Sequence, residues 1–172
     1  SSFGLDYPQY ELIFCVAAPD DPIVAVVKRL IAAHPETRAR LLIGDSTISG
    51  NPKLNNLVKG WAAARADWVV MTDSNVLLPK DYLQALLARW TPGTGLVTSP
   101  AAGNRGEGLW GALESGFLNT YQARWQLAAD ELGLGFAQGK NLLWQRGFLN
   151  RAGGPEALGR DLAEDVGATK LV

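Results

Sequence analysis

Trp68-Val69-Val70-Met71-Thr72-Asp73-Ser74-Asn75 is the stretch whose reading decides the fold. Its first five residues are apolar or β-branched and read as a buried strand, and the abrupt change to Asp-Ser-Asn marks the strand's carboxyl end. In open α/β sheets that end is where ligands bind, so a carboxylate held there is a candidate site residue. Asp73 also reads as a plain turn residue closing a strand. As a site residue, it and Asn75 offer hard oxygens of the kind that hold a divalent ion such as Mg²⁺ against substrate phosphates.

Working outward, Tyr10 to Val16 reads as a strand, and Asp20-Asp21-Pro22 opens a helix with Ile23, Val26, Val27, Leu30 and Ile31 on its apolar face. Ala39 to Ile43 is a second strand, and Asn51-Pro52 starts a helix to about Arg65 that turns Leu54, Leu57, Val58 and Trp61 inward. Beyond Asp73, Pro79 leads into a helix carrying Tyr82, Leu83, Leu86 and Leu87, and Gly95 to Thr98 reads as another strand. This alternation predicts an α/β fold, a Rossmann-like and mostly parallel sheet with helices on both faces. After a glycine-containing loop from Ala101 to Gly108, a long helix carries Leu109, Trp110, Leu113, Phe117, Tyr121 and Trp125. A short strand at Leu142 to Gln145 and a last helix from near Asp161 complete the pattern.

Composition narrows the function classes. With 172 residues and 47% hydrophobic content, the chain is sized for one domain with one core. Sixteen basic residues against 17 acidic ones, with no Lys/Arg stripe, exclude nucleic acid as the expected partner. The single cysteine, Cys15, lies in an apolar run and offers no disulfide framework. No stretch reaches the roughly 18 consecutive apolar residues of a membrane span, and Ser1 to Gln9 lacks signal-peptide architecture. A start without methionine and an end at Val172 without a terminating signal suggest a piece of something longer.

Several residues are ambiguous on local pattern. Asp20 and Asp21 suit a nucleotide's base or ribose, yet an aspartate before a helix-opening proline is equally an N-cap. Asn51 is also a cap, while Lys53 in a first helical turn opposes the helix dipole, a conflict that a bound diphosphate would remove. Asp165, in Asp161-Leu162-Ala163-Glu164-Asp165-Val166, reads as a solvated acid opposite an apolar face of Leu162 and Val166. Gly133 to Lys140 is no Walker loop, because the glycine spacing is wrong and Asn141 replaces Ser or Thr. With His34 the only histidine, acid–base chemistry falls to carboxylates.

Taken together, the blocks resemble the glycosyltransferase family that contains ceramide glucosyltransferase, over nearly the whole chain. The likeness runs through Leu5-Asp6-Tyr7-Pro8-Gln9-Tyr10-Glu11, Cys15-Val16 with Asp20-Asp21-Pro22, Asn51-Pro52-Lys53-Leu54-Asn55-Asn56-Leu57, Asp73-Ser74, Ala152-Gly153-Gly154 and Ala163-Glu164-Asp165, in order. The resemblance implies a GT-A-like catalytic domain over 1–172, truncated at both ends and belonging to a longer membrane-anchored enzyme. It implies inverting transfer of a sugar, glucose from UDP-glucose first among them, to a lipid hydroxyl such as that of ceramide. Residue by residue, it places Asp21, Lys53 and Asp73 at the donor, Mg²⁺ or Mn²⁺ at Asp73 with Asn75, and Asp165 as the catalytic base. A lipid acceptor and a membrane surface are the implied partners, with the catalytic domain on the cytoplasmic face. Transfer to a hopanoid or another lipid, and a non-catalytic sugar-nucleotide-binding module, are the rival readings.

Two features depart from the family pattern. Its further motif of Gln or Arg, two residues, then Arg-Trp follows the third aspartate, and this chain stops before it. Arg124-Trp125 precedes Asp165 and has Tyr121 where Gln or Arg belongs. The family's earlier strand also lies upstream of Ser1. The helix from Leu109 to Trp125 either packs in the core or flanks a membrane, since Trp and Tyr favour interfaces.

Overall fold

The computed structural model describes residues 2–104 and 106–172; Ser1, and Arg105 in the loop from Ala101 to Gly108, lie outside the described residues. The elements are β1 (Glu11–Val16), α1 (Ile23–Ala33), β2 (Arg38–Ile43), α2 (Pro52–Ala63), β3 (Trp68–Thr72), α3 (Tyr82–Leu87), α4 (Gly108–Phe117), α5 (Ala123–Glu131), β4 (Asn141–Gln145), α6 (Arg146–Arg151), α7 (Pro155–Leu158) and α8 (Glu164–Leu171). A π-helical turn, Leu118–Gln122, joins α4 to α5 without a break. The fold is α/β, and strand and helix alternate through β3 as the hydrophobic periodicity requires.

β1 and β2 pair in parallel, with Glu11 opposite Arg38 and Val16 opposite Ile43. The Arg40 guanidinium locks this pair to the end of α2, donating to Glu11 Oε2 at 2.9 Å and to the Ala63 carbonyl at 2.7 Å. On α2, Gly60 lets helix and strand approach, because a Cβ there would stand 2.7 Å from Cys15 Sγ. The second pair, β3 with β4, is antiparallel and stands as a separate two-stranded sheet among the described residues, so the parallel pairing is confined to β1 and β2. In place of the strand expected at Gly95 to Thr98 there is one antiparallel bridge, Val97 to Leu143. Among the described residues the segment pairs with β4 alone, and Pro100 lacks the N–H needed to continue a ladder.

Among the described residues β1 and β3 exchange no ladder bonds; both line an apolar cavity of about 320 Å³ between the two strand pairs. The main core lies beside β3 and β4, where Leu54, Leu142, Trp144, Leu149 and Leu158 are almost wholly buried. A smaller cluster of Tyr82, Leu86, Val97 and Leu143 packs α3 against β4.

Two helices depart, α1 in part and α8 wholly, from the face read from their large apolar side chains. On α1 the buried residues are Val24 and Val27, while Ile23, Val26 and Leu30 remain exposed. On α8 the reversal is complete: Leu162 just before it is 87% exposed and Val166 is exposed, whereas Glu164, Gly167 and Ala168 are buried. Gly167 presses on α7 so closely that a Cβ would meet the Leu158 carbonyl at 2.6 Å. The face is small because the helices touch backbone to backbone, and small residues give a weak hydrophobic signal.

Stability should follow this burial. Leu149→Ala, at a wholly buried position, is expected to cost about 2–5 kcal/mol, and Leu162→Ala less than about 0.5 kcal/mol, in urea unfolding of the two variants.

Candidate active site at the end of β3

Antiparallel pairing assembles the site. Thr72, the last residue of β3, faces Asn141, the first of β4, so Asp73 lies beside the Gly139-Lys140 segment that leads into β4. The Asp73 N–H donates to the Lys140 carbonyl at 3.1 Å, and the Thr72 hydroxyl donates to the same oxygen at 3.2 Å. Lys140 Nζ returns to Asp73 Oδ2 at 3.3 Å and to Asn75 Oδ1 at 3.3 Å.

Lys53 reaches in from the first turn of α2. Asn51 caps that helix, its Oδ1 accepting the N–H groups of Lys53 at 2.9 Å and Leu54 at 3.3 Å, and Pro52 occupies the first turn where no N–H is needed. The Lys53 ammonium meets Asp73 Oδ1 at 2.7 Å and Glu164 Oε1 at 2.5 Å, and also donates to the Gly139 carbonyl. Burial works to lower the Lys53 pKa, but hydrogen bonds to Asp73 and Glu164, and the attraction of both charges, outweigh it and leave the pKa raised. The unfavourable dipole at this helix start is thus answered within the protein by two carboxylates.

Glu164 is the buried member, 6% exposed, with its other oxygen accepting from Asn51 Nδ2 at 2.7 Å. Asp165 is half-buried beside it: Oδ2 accepts from the Gly139 N–H at 3.0 Å and Oδ1 from the Val166 N–H at 2.9 Å. Gly139 has room for no side chain, since a Cβ would stand 2.8 Å from Glu164 Oε1 and 3.4 Å from both Asp165 Oδ2 and Lys53 Nζ. Three carboxylates and two ammonium groups therefore share one locus, net negative by one charge.

Of the residues singled out from sequence, Lys53, Asp73, Asn75 and Asp165 belong to this locus. Asp21 does not touch it: its Oδ1 accepts the Ile23 N–H at 2.9 Å, the capping role, and no described hydrogen bond or ion pair links it to the others. The carboxyl end of β1 is tied to the helix that carries Lys53, because Asn56 Nδ2, one turn along α2, donates to the Cys15 carbonyl at 2.9 Å. Sequence reading missed Gly139, Lys140 and the central part of Glu164. The spacing of Glu164, Gly167, Ala168 and Leu171 is a helical face, but only if glycine and alanine are counted as interior residues.

As a place for a divalent ion, Asp73 and Asn75 are suited in chemistry, since the Lys140 ammonium already spans the two oxygens. Among the described residues no group of three or more His, Cys, Asp or Glu side chains converges as a metal cage. A cation here would be held by few protein ligands and would take the rest from water or substrate, as Mg²⁺ commonly does.

A family model, Glycosyl transferase family 21, matches residues 1–172. The chain belongs to that family. Two curated relatives from Caenorhabditis elegans, ceramide glucosyltransferase 1 and ceramide glucosyltransferase 3, are each 30% identical to it, over 168 and 167 residues. Each alignment covers 96% of this chain and 36% of the relative, so the family 21 chain spans about a third of their length. A ceramide glucosyltransferase of Komagataella phaffii is 44% identical over 80 residues, covering 44% of this chain and 16% of the relative. No solved structure matches. The Gly153-Gly154 pair among the family blocks has a backbone reason, for φ is 108° and 73° there, in the left-handed region that only glycine enters cheaply.

Removing the central cation should expose the carboxylates. Lys53→Met is expected to cost about 1–3 kcal/mol at neutral pH, and less in a Glu164→Gln background, by denaturant unfolding. Because the folded Lys53 pKa lies above its ordinary 10.5, its stabilisation is complete below that pH and is lost as pH rises through the folded value. The stability gap between wild type and Lys53→Met should therefore narrow in alkaline solution.

Proposed function

We propose that this family 21 chain carries the catalytic site of an inverting transferase that moves glucose from UDP-glucose to a lipid hydroxyl, ceramide being the acceptor the relatives' names favour. The observation that carries the reading is that Asp73 and Asp165, some 90 residues apart in sequence, hold opposite ends of one short segment, Gly139-Lys140. A donor bound at Asp73 is then within one cluster of a carboxylate on α8.

In the proposed reaction the acceptor oxygen forms its bond to the anomeric carbon as the bond from that carbon to the diphosphate oxygen breaks, on the opposite side. The hydroxyl proton passes to a free lone pair of the Asp165 carboxylate, whose two backbone hydrogen bonds fix its orientation. The departing diphosphate takes up negative charge, and Lys53 and Lys140 are the cations beside its place. Asp73 with Asn75 would hold Mg²⁺ or Mn²⁺, which supplies further charge neutralisation to the diphosphate when bound. Asp21, in the turn between β1 and α1, serves the nucleoside end of the donor. Glu164 touches no substrate in this scheme; it keeps Lys53 in place and joins α8 to α2.

A lipid acceptor makes a membrane surface a partner of the complete protein, with this domain on the cytoplasmic face. Among the described residues, no helix is long and apolar enough to cross a membrane.

Radiolabelled UDP-glucose, a short-chain ceramide and Mg²⁺ test the reading on the chain and on the full-length gene product. Asp165→Asn should lower transfer by about 10²–10⁴ with UDP-glucose binding retained, and Asp73→Asn should weaken that binding. Transfer that survives Asp165→Asn removes the base from α8, and a wild-type protein that binds UDP-glucose without any transfer favours the binding-module alternative.

A further inference from the structure

Lys140 closes the segment from Gly133 whose glycine spacing is wrong for a Walker loop, and the backbone around it is pinned on both sides. Before it, the Gly139 N–H donates to Asp165 Oδ2 at 3.0 Å. The Lys140 carbonyl accepts from the Asp73 N–H and from the Thr72 hydroxyl. After it, the buried Asn141 side chain accepts from the Ser99 N–H at 2.8 Å and donates to the Ser99 carbonyl at 3.0 Å. None of these bonds involves the Lys140 side chain, so the segment keeps its place whatever that side chain does.

The side chain itself is held loosely. Its ammonium stands 3.3 Å from Asp73 Oδ2 and 3.3 Å from Asn75 Oδ1, whereas the Lys53 ammonium meets Asp73 Oδ1 at 2.7 Å and Glu164 Oε1 at 2.5 Å. Lys140 and Asn75 both line an open hollow of about 1630 Å³, which gives this ammonium somewhere to go. Lys53 has no such freedom, because leaving would strip a charge partner from the buried Glu164. The two oxygens that Lys140 spans are the two that suit a divalent ion. An ammonium and a divalent cation cannot share them, since both need the same lone pairs and repel each other at short range. Charge decides what each occupant does for a diphosphate. With both lysines in place the locus is net negative by one charge. Without Lys140 it would be more negative still and would repel a nucleoside diphosphate until a divalent ion restored the balance.

We propose that Lys140 is the resident cation of the donor site: its ammonium occupies the Asp73–Asn75 pair in exchange with a divalent ion, and it holds the diphosphate of a nucleoside diphosphate donor when that ion is not bound. This rests on the donor reading above and adds that the ion enters by displacing Lys140 into the hollow, not by joining it. The exchange needs no backbone movement, because the bonds that pin Gly139, Lys140 and Asn141 are made by other groups. Lys53 stays where it is throughout, held by Asp73, Glu164 and the Gly139 carbonyl.

Mn²⁺ binding, followed by the paramagnetic resonance of the free ion, and calorimetric titration with UDP test the exchange on the chain itself. Lys140→Met and Lys140→Gln should each bind Mn²⁺ about three- to tenfold more tightly than wild type, and Lys140→Arg within about twofold of it. In EDTA both neutral variants should bind UDP about tenfold more weakly than wild type, and at saturating Mn²⁺ that difference should shrink to less than about twofold. A lysine that only packs beside the site predicts the same change with and without the ion. Thermal unfolding of the neutral variants should match wild type, and failure of both to fold as wild type does overturns the proposal. So does equal or weaker Mn²⁺ binding by Lys140→Met and Lys140→Gln, no Mn²⁺ binding by any of the proteins, or an equal loss of UDP binding in EDTA and in Mn²⁺. Each of these results, with UDP-glucose still bound and transferred, leaves the proposed function standing. Wild type that binds neither UDP nor UDP-glucose under either condition sinks the donor reading and this inference together.

Discussion

A single ammonium group organises the functional end of this chain. Lys53 Nζ contacts carboxylates that arrive on two other elements, Asp73 after β3 and Glu164 at the start of α8, together with a carbonyl at Gly139. Each of those negative or polar groups is costly to leave unpaired in a partly buried place, and one cation answers all three. The arrangement depends in turn on Asn51, which caps α2 through its oxygen and holds Glu164 through its nitrogen.

The antiparallel run of β4 is the second constraint. Because β4 starts where β3 ends, the segment entering β4 lies across the carboxylate that leaves β3. Gly139 and Lys140 then face both Asp73 and α8, and the absence of a side chain at Gly139 is what allows Glu164, Asp165 and Lys53 to close around it. A parallel β4 would start at the other end of β3 and leave Asp73 with no such neighbour.

How legible this was depends on the size of the side chains involved. β1, β2, α2 and β3 announce themselves through runs of large apolar residues and through caps such as Asn51-Pro52, and their placements agree with the sequence to within a few residues. Asp73, Lys53, Asn75 and Asp165 were visible as residues, the last only through the family blocks. Gly139 and Lys140 were hidden in a segment with no periodicity, and α8 misled because its interior face is Gly167 and Ala168.

Local chemistry in the chain determined which segments fold as strands and helices, where the capped turns fall and which family the blocks belong to, since these depend on neighbours a few residues apart. Tertiary structure alone decided that β4 runs against β3 and that α8 turns its acids inward. Those outcomes depend on contacts between segments 20 to more than 100 residues apart, where backbone-to-backbone packing and charge pairing outweigh the periodicity of any one helix.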